Sequence, residues 1–399
     1  MENSRIPVIV GAARTPIGRY LGALSSLSAP QLGGIAIREA VRRSGVSPDH
    51  LQEVIMGNVL QGGVGQAPAR QAMLTAGIPA SVSAVTINKV CGSGLKSVML
   101  AAQAIRAGDA DAIVAGGMES MSNAPHYVYG YRSGVKLGDQ TLVDGMIRDG
   151  LWCATCNVHM GSHAEYTAQQ ANVSRERQDE FAAESHRRAV AAQDAGKFRA
   201  EIVSVEIPGR KGPTIVDSDE GPRRDTTAQS LAGLKPAFGG KGDTDLTVTA
   251  GNASTLNDGA AAVVVVTEAF ARQHGLKVLA RIDSYATGAV HPRDLFFAPI
   301  RAVRNLLAKE NSTIGDFDLI EANEAFASQS LADADALEFD LSKVNVNGGA
   351  IALGHPIGAS GARVLVTLLY ALADRGARRG LATLCLGGGD AVALSITRA

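Results

Sequence analysis

Cysteine is scarce in this chain, with four residues in 399. So few, spread so widely, exclude the disulfide framework of a small secreted scaffold and point to a reducing compartment. Neither sign of charge is in excess, Lys+Arg being 38 against Asp+Glu 39, and no basic tract stands out. That balance offers no footing for nucleic acid. Long apolar runs are also missing: the longest, Ala260 to Val266, is far too short to span a bilayer. The first residues, M-E-N-S-R-I-P-V-I-V, lack a charged segment followed by a long apolar one. The last, Thr397-Arg398-Ala399, are no peroxisomal address. Nor does G-x-G-x-x-G follow any β-type run, which argues against a dinucleotide-binding enzyme. These absences lead us to expect a cytoplasmic globular protein with no nucleic-acid and no membrane partner.

What is present is a hydrophobic content of 46%, ample for a large core in two or three domains. β-type runs at Pro7–Ala13, Leu51–Met56, Val82–Val90 and Ala112–Ala115 alternate with helix-like stretches at Pro30–Arg43, Ala69–Ala76 and Leu95–Ala107. Such alternation predicts a layered α/β fold with mostly parallel pairing. From about Ser120 the texture changes to a glycine-, tyrosine- and charge-rich middle third, the kind of insertion from which ligand contacts come. Order returns near Thr247 and the buried-looking strand Ala260–Thr267.

The last third then repeats the first. Asp318–Asn323 echoes Glu53–Asn58, Gly358–Val364 echoes Gly92–Val98, and Ala382–Gly388 echoes Ile113–Gly117. Asn58 to Cys91 spans 33 positions and Asn323 to His355 spans 32. Both post-turn helices are apolar on nearly every face, which places them in the middle of the molecule, back to back between two sheets.

The chemistry centres on I-N-K-V-C-G-S-G-L-K-S-V, where Cys91 closes a β-type run and Gly92-Ser93-Gly94 opens a helix. A helix N-terminus favours the thiolate, and the glycines let a substrate carbonyl approach the backbone. A buried cysteine acting as a small hydrophobe is the plain alternative. Three later groups weigh against it. His355 lies in L-G-H-P-I-G, Cys385 in L-C-L-G-G-G-D and Asn323 in E-A-N-E-A-F, all at strand ends or glycine turns. Two thiols, an imidazole and an amide on converging loops suit acyl transfer.

At these residues the chain resembles the thiolases. The likeness runs through Asn88–Val98, Gly116–Ser120, Pro125–Asp139, His159-Met160-Gly161, Thr249–Ser254, Asn323–Phe326, Asn345–Gly361 and Cys385–Gly389. The resemblance implies a duplicated five-layer α-β-α-β-α fold with an inserted loop domain. One half would be 1–120 with 247–274, the coenzyme A-binding insertion 121–246, and the other half 275–399. It further implies a homo-oligomer, dimer or dimer of dimers, acting on acyl-CoA with no permanently bound cofactor. Residue by residue, Cys91 matches the acylated nucleophile, His355 its activator and Cys385 the acid/base for carbon–carbon chemistry. Asn323, through a water, joins His355 in one oxyanion hole. The backbone N–H groups of Cys91 and Gly387 match the other. Coenzyme A contacts carry over to Arg223, Ser230 and Ser254, with Leu151 and His159 at the thiol end.

The expected reaction is two acetyl-CoA in exchange with acetoacetyl-CoA and CoA, or thiolysis of somewhat longer 3-ketoacyl-CoAs. A carrier-protein ketosynthase is disfavoured because that group has a second histidine where this chain has Cys385. Where short-chain members read M-G-T-G-P, this chain has Leu295-Phe296-Phe297-Ala298-Pro299, and both rings are expected to block a long acyl chain. Finally, Cys153-x-x-Cys156-x-x-His159-x-x-x-His163 is a run of zinc-type side chains without a complementary knuckle. From spacing alone, no metal is expected there.

Overall fold

Strands with no polar face show where the chain is covered on both sides. Pro7–Arg14 (β1), Ala112–Ser120 (here β4) and Asn257–Thr267 (β5) are buried at every position. With Glu53–Gly57 (β2) and Ser83–Ile87 (β3) they form one half-sheet in the order β3-β2-β4-β5-β1. The second half-sheet uses Ala280–Ala289 (β6), Leu319–Ala322 (β7), Arg379–Leu386 (β8) and Asp390–Arg398 (β9), in the order β7-β8-β9-β6. The winding is the same in both, with Val344 bridging Ile320 where β3 would stand. β2 pairs parallel with β3 and β4, and β7 with β8, whereas β1, β5, β6 and β9 are antiparallel to their neighbours. The half-sheets pair edge to edge at Val8–Ile9 against Ala280–Arg281. The computed structural model describes residues 5–209, 212–239 and 244–399.

Helices Ala29–Ser44 (α1) and Pro68–Thr75 (α2) cover the first half-sheet outside; Ala298–Glu310 (α6) covers the second, with Ala327–Leu337 (α7) against it. Ser93–Ala107 (α3) and Ile357–Asp374 (α8) lie between the sheets, and α8 touches strands of both. The five layers expected from the resemblance are therefore present. Two glycines let the central helices approach to backbone contact. A Cβ on Gly94 would meet the Ala362 nitrogen at 2.6 Å, and one on Gly361 the Leu95 nitrogen at 2.3 Å. α8 is long and apolar enough to cross a membrane by composition, yet 83% of it is buried inside the molecule.

The middle third contains two helices, Met160–Gln170 (α4) and Arg175–Asp194 (α5), separated at Asn172 by a left-handed residue. Together with the paired strands Trp152–Cys153 and Val158–His159, they build one side of the pocket described next.

Candidate active site

Cys91 does not end its strand as the sequence suggested: β3 stops at Ile87, and a five-residue loop follows. Val90, β-branched, is held at φ 46°, a strained conformation that bends the chain just before the cysteine. Ser93 fastens the bend by accepting from the Lys89 N–H at 2.8 Å and donating to the Val90 carbonyl at 2.6 Å. Lys89 also pairs with Asp390, which draws this loop onto the second half. Burial pushes the Cys91 thiol up to about 11, against the backbone N–H groups of Gly387 and Cys91 itself, which pull it down; the Glu119 charge adds to the rise. The thiolate expected from a helix N-terminus is thus outweighed by desolvation, and the resting group is a thiol.

His355 enters from the turn before α8, its N–H donating to Asn257 Oδ1 at 2.9 Å. Burial, then the charge of Arg363, pushes its imidazole down to about 3, so the ring is neutral near pH 7. Nδ1 lies 2.7 Å from Ser360 Oγ, which spends its own hydrogen on the Pro356 carbonyl at 2.9 Å. The hydroxyl is left to accept, so Nδ1 carries the proton and Nε2 the lone pair. Nε2 is buried with no hydrogen-bond partner among the described residues. The Asn323 amide lies 3.4 Å from Nδ1, but this residue stands behind the histidine and is not part of the cavity wall.

Cys385 is the penultimate residue of β8 and is buried beside Phe296, Ala325 and Phe326. Burial, then the charges of Cys91 and Asp333, holds it as a thiol well above its ordinary range. Gly387 follows, and the turn continues through Gly388 and Gly389 at φ 87° and 88°, where only glycine is unstrained. One cavity of about 640 Å³ is lined by Cys91, His355, Cys385 and Gly387.

Leu151, His159, Arg223 and Ser254 also line it, whereas Ser230 does not. The Ser230 side chain caps the short helix Ala228–Ala232 in a reciprocal pair with Thr227. Phe296 is 2% exposed and lines the cavity. Phe297 is half-buried and does not line it, so only one of the two rings stands where both were expected. His186 was missed: it lies in the middle of charged α5, with nothing local to mark it. Its ring is bracketed by Arg223, through the backbone N–H at 3.1 Å and the guanidinium at 3.2 Å. Burial, then Arg223 and Arg19, pushes it down to about 4. Beside this wall, Cys153, Cys156 and His163 draw together as the one compact set of metal-type ligands among the described residues.

A duplicated five-layer fold carrying two cysteines and a histidine at its central turns defines an acyl-transfer class, and comparison agrees. Residues 7–269 match the thiolase N-terminal domain and 276–398 the thiolase C-terminal domain. The chain belongs to the thiolase family. Among its relatives, the acetyl-CoA acetyltransferase of Allochromatium vinosum is 55% identical over 98% of both chains. That of Cupriavidus necator is 55% identical over 98% of this chain and 99% of its own. The crystal structure of the Bacillus anthracis acetyl-CoA acetyltransferase superposes with a TM-score of 0.96, at 42% identity over 99% of each chain.

Proposed function

We propose that this enzyme is an acetyl-CoA C-acetyltransferase that joins two acetyl-CoA reversibly into acetoacetyl-CoA and CoA through an acetyl group on Cys91. One observation carries the reading: a thiol and a neutral imidazole with a free Nε2 share a cavity with a second thiol and the Gly387 backbone. Cys91 gives its proton to His355 as its sulfur attacks the thioester carbon; the bond to coenzyme A sulfur breaks, and the departing thiolate takes the proton back. The N–H groups of Cys91 and Gly387 face the sulfur, within reach of the carbonyl oxygen it would carry. Cys385, a thiol at rest, gives its proton to the free Nε2 of His355 in the same cavity and becomes the thiolate base. That thiolate takes a methyl proton from the second acetyl-CoA; the resulting enolate attacks the acetyl carbon, the bond from that carbon to Cys91 sulfur breaks, and the departing Cys91 thiolate takes the proton from His355 as acetoacetyl-CoA leaves. The enolate oxygen accepts from His355 Nε2 while that nitrogen is protonated, and Asn323 joins it through a water.

The segment 121–246 is, in this reading, the coenzyme A-binding insertion, with Arg223, His159, Leu151 and Ser254 along the route of the substrate. No permanently held cofactor is required. A homo-oligomeric, cytoplasmic enzyme belongs to the same proposal. Phe296 shortens the acyl end, which favours the acetoacetyl substrate over longer 3-ketoacyl chains. Thiolysis of acetoacetyl-, 3-ketohexanoyl- and 3-ketodecanoyl-CoA by the purified protein tests it. The expected order is shortest first, and a preference for the ten-carbon chain would defeat the short-chain reading.

A further inference from the structure

Cys153, Cys156 and His163 take no part in that chemistry, yet their ligand atoms lie within 4.8 Å of one another. Cys153 ends a short strand paired with Val158–His159, so both thiols sit on one tight turn. Inside it the Cys156 N–H donates to Cys153 Sγ at 3.2 Å. His163, in the first turns of α4, is 2% exposed, and its Nε2 is buried with no hydrogen-bond partner among the described residues. A buried ring nitrogen left unpaired is uncommon and asks for an explanation. Two soft sulfurs and an imidazole nitrogen are the ligand set of zinc, not of calcium or magnesium.

We propose that Cys153, Cys156 and His163 hold one Zn²⁺, the cysteines as thiolates and the histidine through Nε2. Zinc at about 2.3 Å from sulfur and about 2.0 Å from nitrogen sets tetrahedral edges of about 3.5–3.8 Å. Side chains already within 4.8 Å reach those edges by shifts of about 1 Å. Each cysteine releases its proton to solvent on binding. A water completes the tetrahedral shell. The ion would tie the 152–159 turn to α4, which packs against the Pro292–Phe297 turn that carries Phe296. Leu151 and His159, at either end of the zinc turn, face the substrate cavity. This is a structural zinc that stiffens one wall of the pocket, and it stands whether or not the proposed reaction is correct.

The full-length protein, purified under reductant without chelator and incubated with Zn²⁺ before desalting, is measured for bound metal by elemental analysis. The expected result is about one zinc per chain, with a raised Tm that a chelator reverses. Cobalt loading should give a thiolate-to-metal absorption band. Cys156→Ser, at a half-buried position that tolerates the change, should lose the band and retain less than about a tenth of the zinc. His163→Gln should do the same, whereas Cys91→Ser should keep both. Absence of zinc and of the cobalt band would overturn the proposal. So would zinc that survives Cys156→Ser but is lost in Cys91→Ser, which would put the ion on the catalytic thiols. A Cys153–Cys156 disulfide in air with no metal bound under reductant would replace it with a redox pair.

Discussion

Replacing Ser360 with alanine removes one hydroxyl and tests how His355 is poised. The hydroxyl accepts from His355 Nδ1 at 2.7 Å in a fully buried setting. The Pro356 carbonyl it serves keeps the N–H groups of Ala359 and Ser360, both at 2.9 Å. Leaving the Nδ1–H without an acceptor should cost about 1–3 kcal/mol of fold stability, and the loss in rate should fall on the imidazolium formed when Cys91 gives up its proton. A hydrogen bond to a charged group is worth about 1.5–3 kcal/mol, or about 10- to 150-fold in rate. Asn323, at 3.4 Å, is too distant and the wrong way round to compensate while its NH₂ faces the ring. Rapid mixing with acetyl-CoA and quenched mass analysis of the Cys91 adduct reads that step directly. Ser360→Ala should acylate slowly with an unchanged final extent, and its rate should climb more steeply toward high pH, where bulk hydroxide supplies thiolate. Ser360→Thr should restore much of the rate. Acylation at the parent rate, with the parent pH profile, would refute the assignment of the proton to Nδ1.

Cys91→Ser should form no acetyl adduct on peptide mapping. Cys385→Ala should still acetylate Cys91 but fail to exchange the acetyl-CoA methyl protons with deuterated solvent by NMR. Phe296→Ala should enlarge the acyl end and improve 3-ketodecanoyl-CoA relative to acetoacetyl-CoA, at a stability cost of about 3–5 kcal/mol read from denaturant unfolding. Phe297→Ala should leave the preference where it was. Acid sensitivity has a definite sign: His355 titrates near 6.5 unfolded and about 3 folded, so the unfolded chain binds the extra proton. Its contribution is fully present above 6.5 and is lost as pH falls toward 3, so His355→Gln should narrow the Tm difference between pH 7 and about pH 5. Gly361→Ala, which drives a methyl group into the Leu95 backbone, should destabilise by about 1–3 kcal/mol or more in the same unfolding assay.

Much was legible because it is local. Strand and helix runs announced themselves by periodicity, and the repeated spacing of Asn58–Cys91 and Asn323–His355 gave away the duplication. Cys91, His355 and Cys385 were singled out because each sits beside glycines at a strand end or turn, a pattern of neighbours in the chain. The structure brings these three and Gly387 to one cavity. Boundaries were less legible. The strand before Cys91 ends at Ile87 because Val90 turns left-handed, a choice set by the Ser93 hydroxyl and by Asp390 in the other half.

The sequence by itself determined the layered architecture, its doubling and the reactive side chains, since hydrophobic period and turn chemistry act over a few residues. Tertiary structure alone decided how those side chains behave. Whether Cys91 rests as thiol or thiolate depends on how much water the assembled halves exclude, and desolvation outweighed the helix end. Two adjacent phenylalanines, alike in sequence, parted company because the short turn they share points only Phe296 into the cavity. Ser230 was claimed by its own helix cap, and His186 lines the cavity beside Arg223, whose backbone N–H it accepts. Cys153 and Cys156 gained a third ligand only because α4 folds back over their turn and buries His163 against it. Such outcomes rest on solvent exclusion and contacts between distant segments, which no stretch of neighbouring residues encodes.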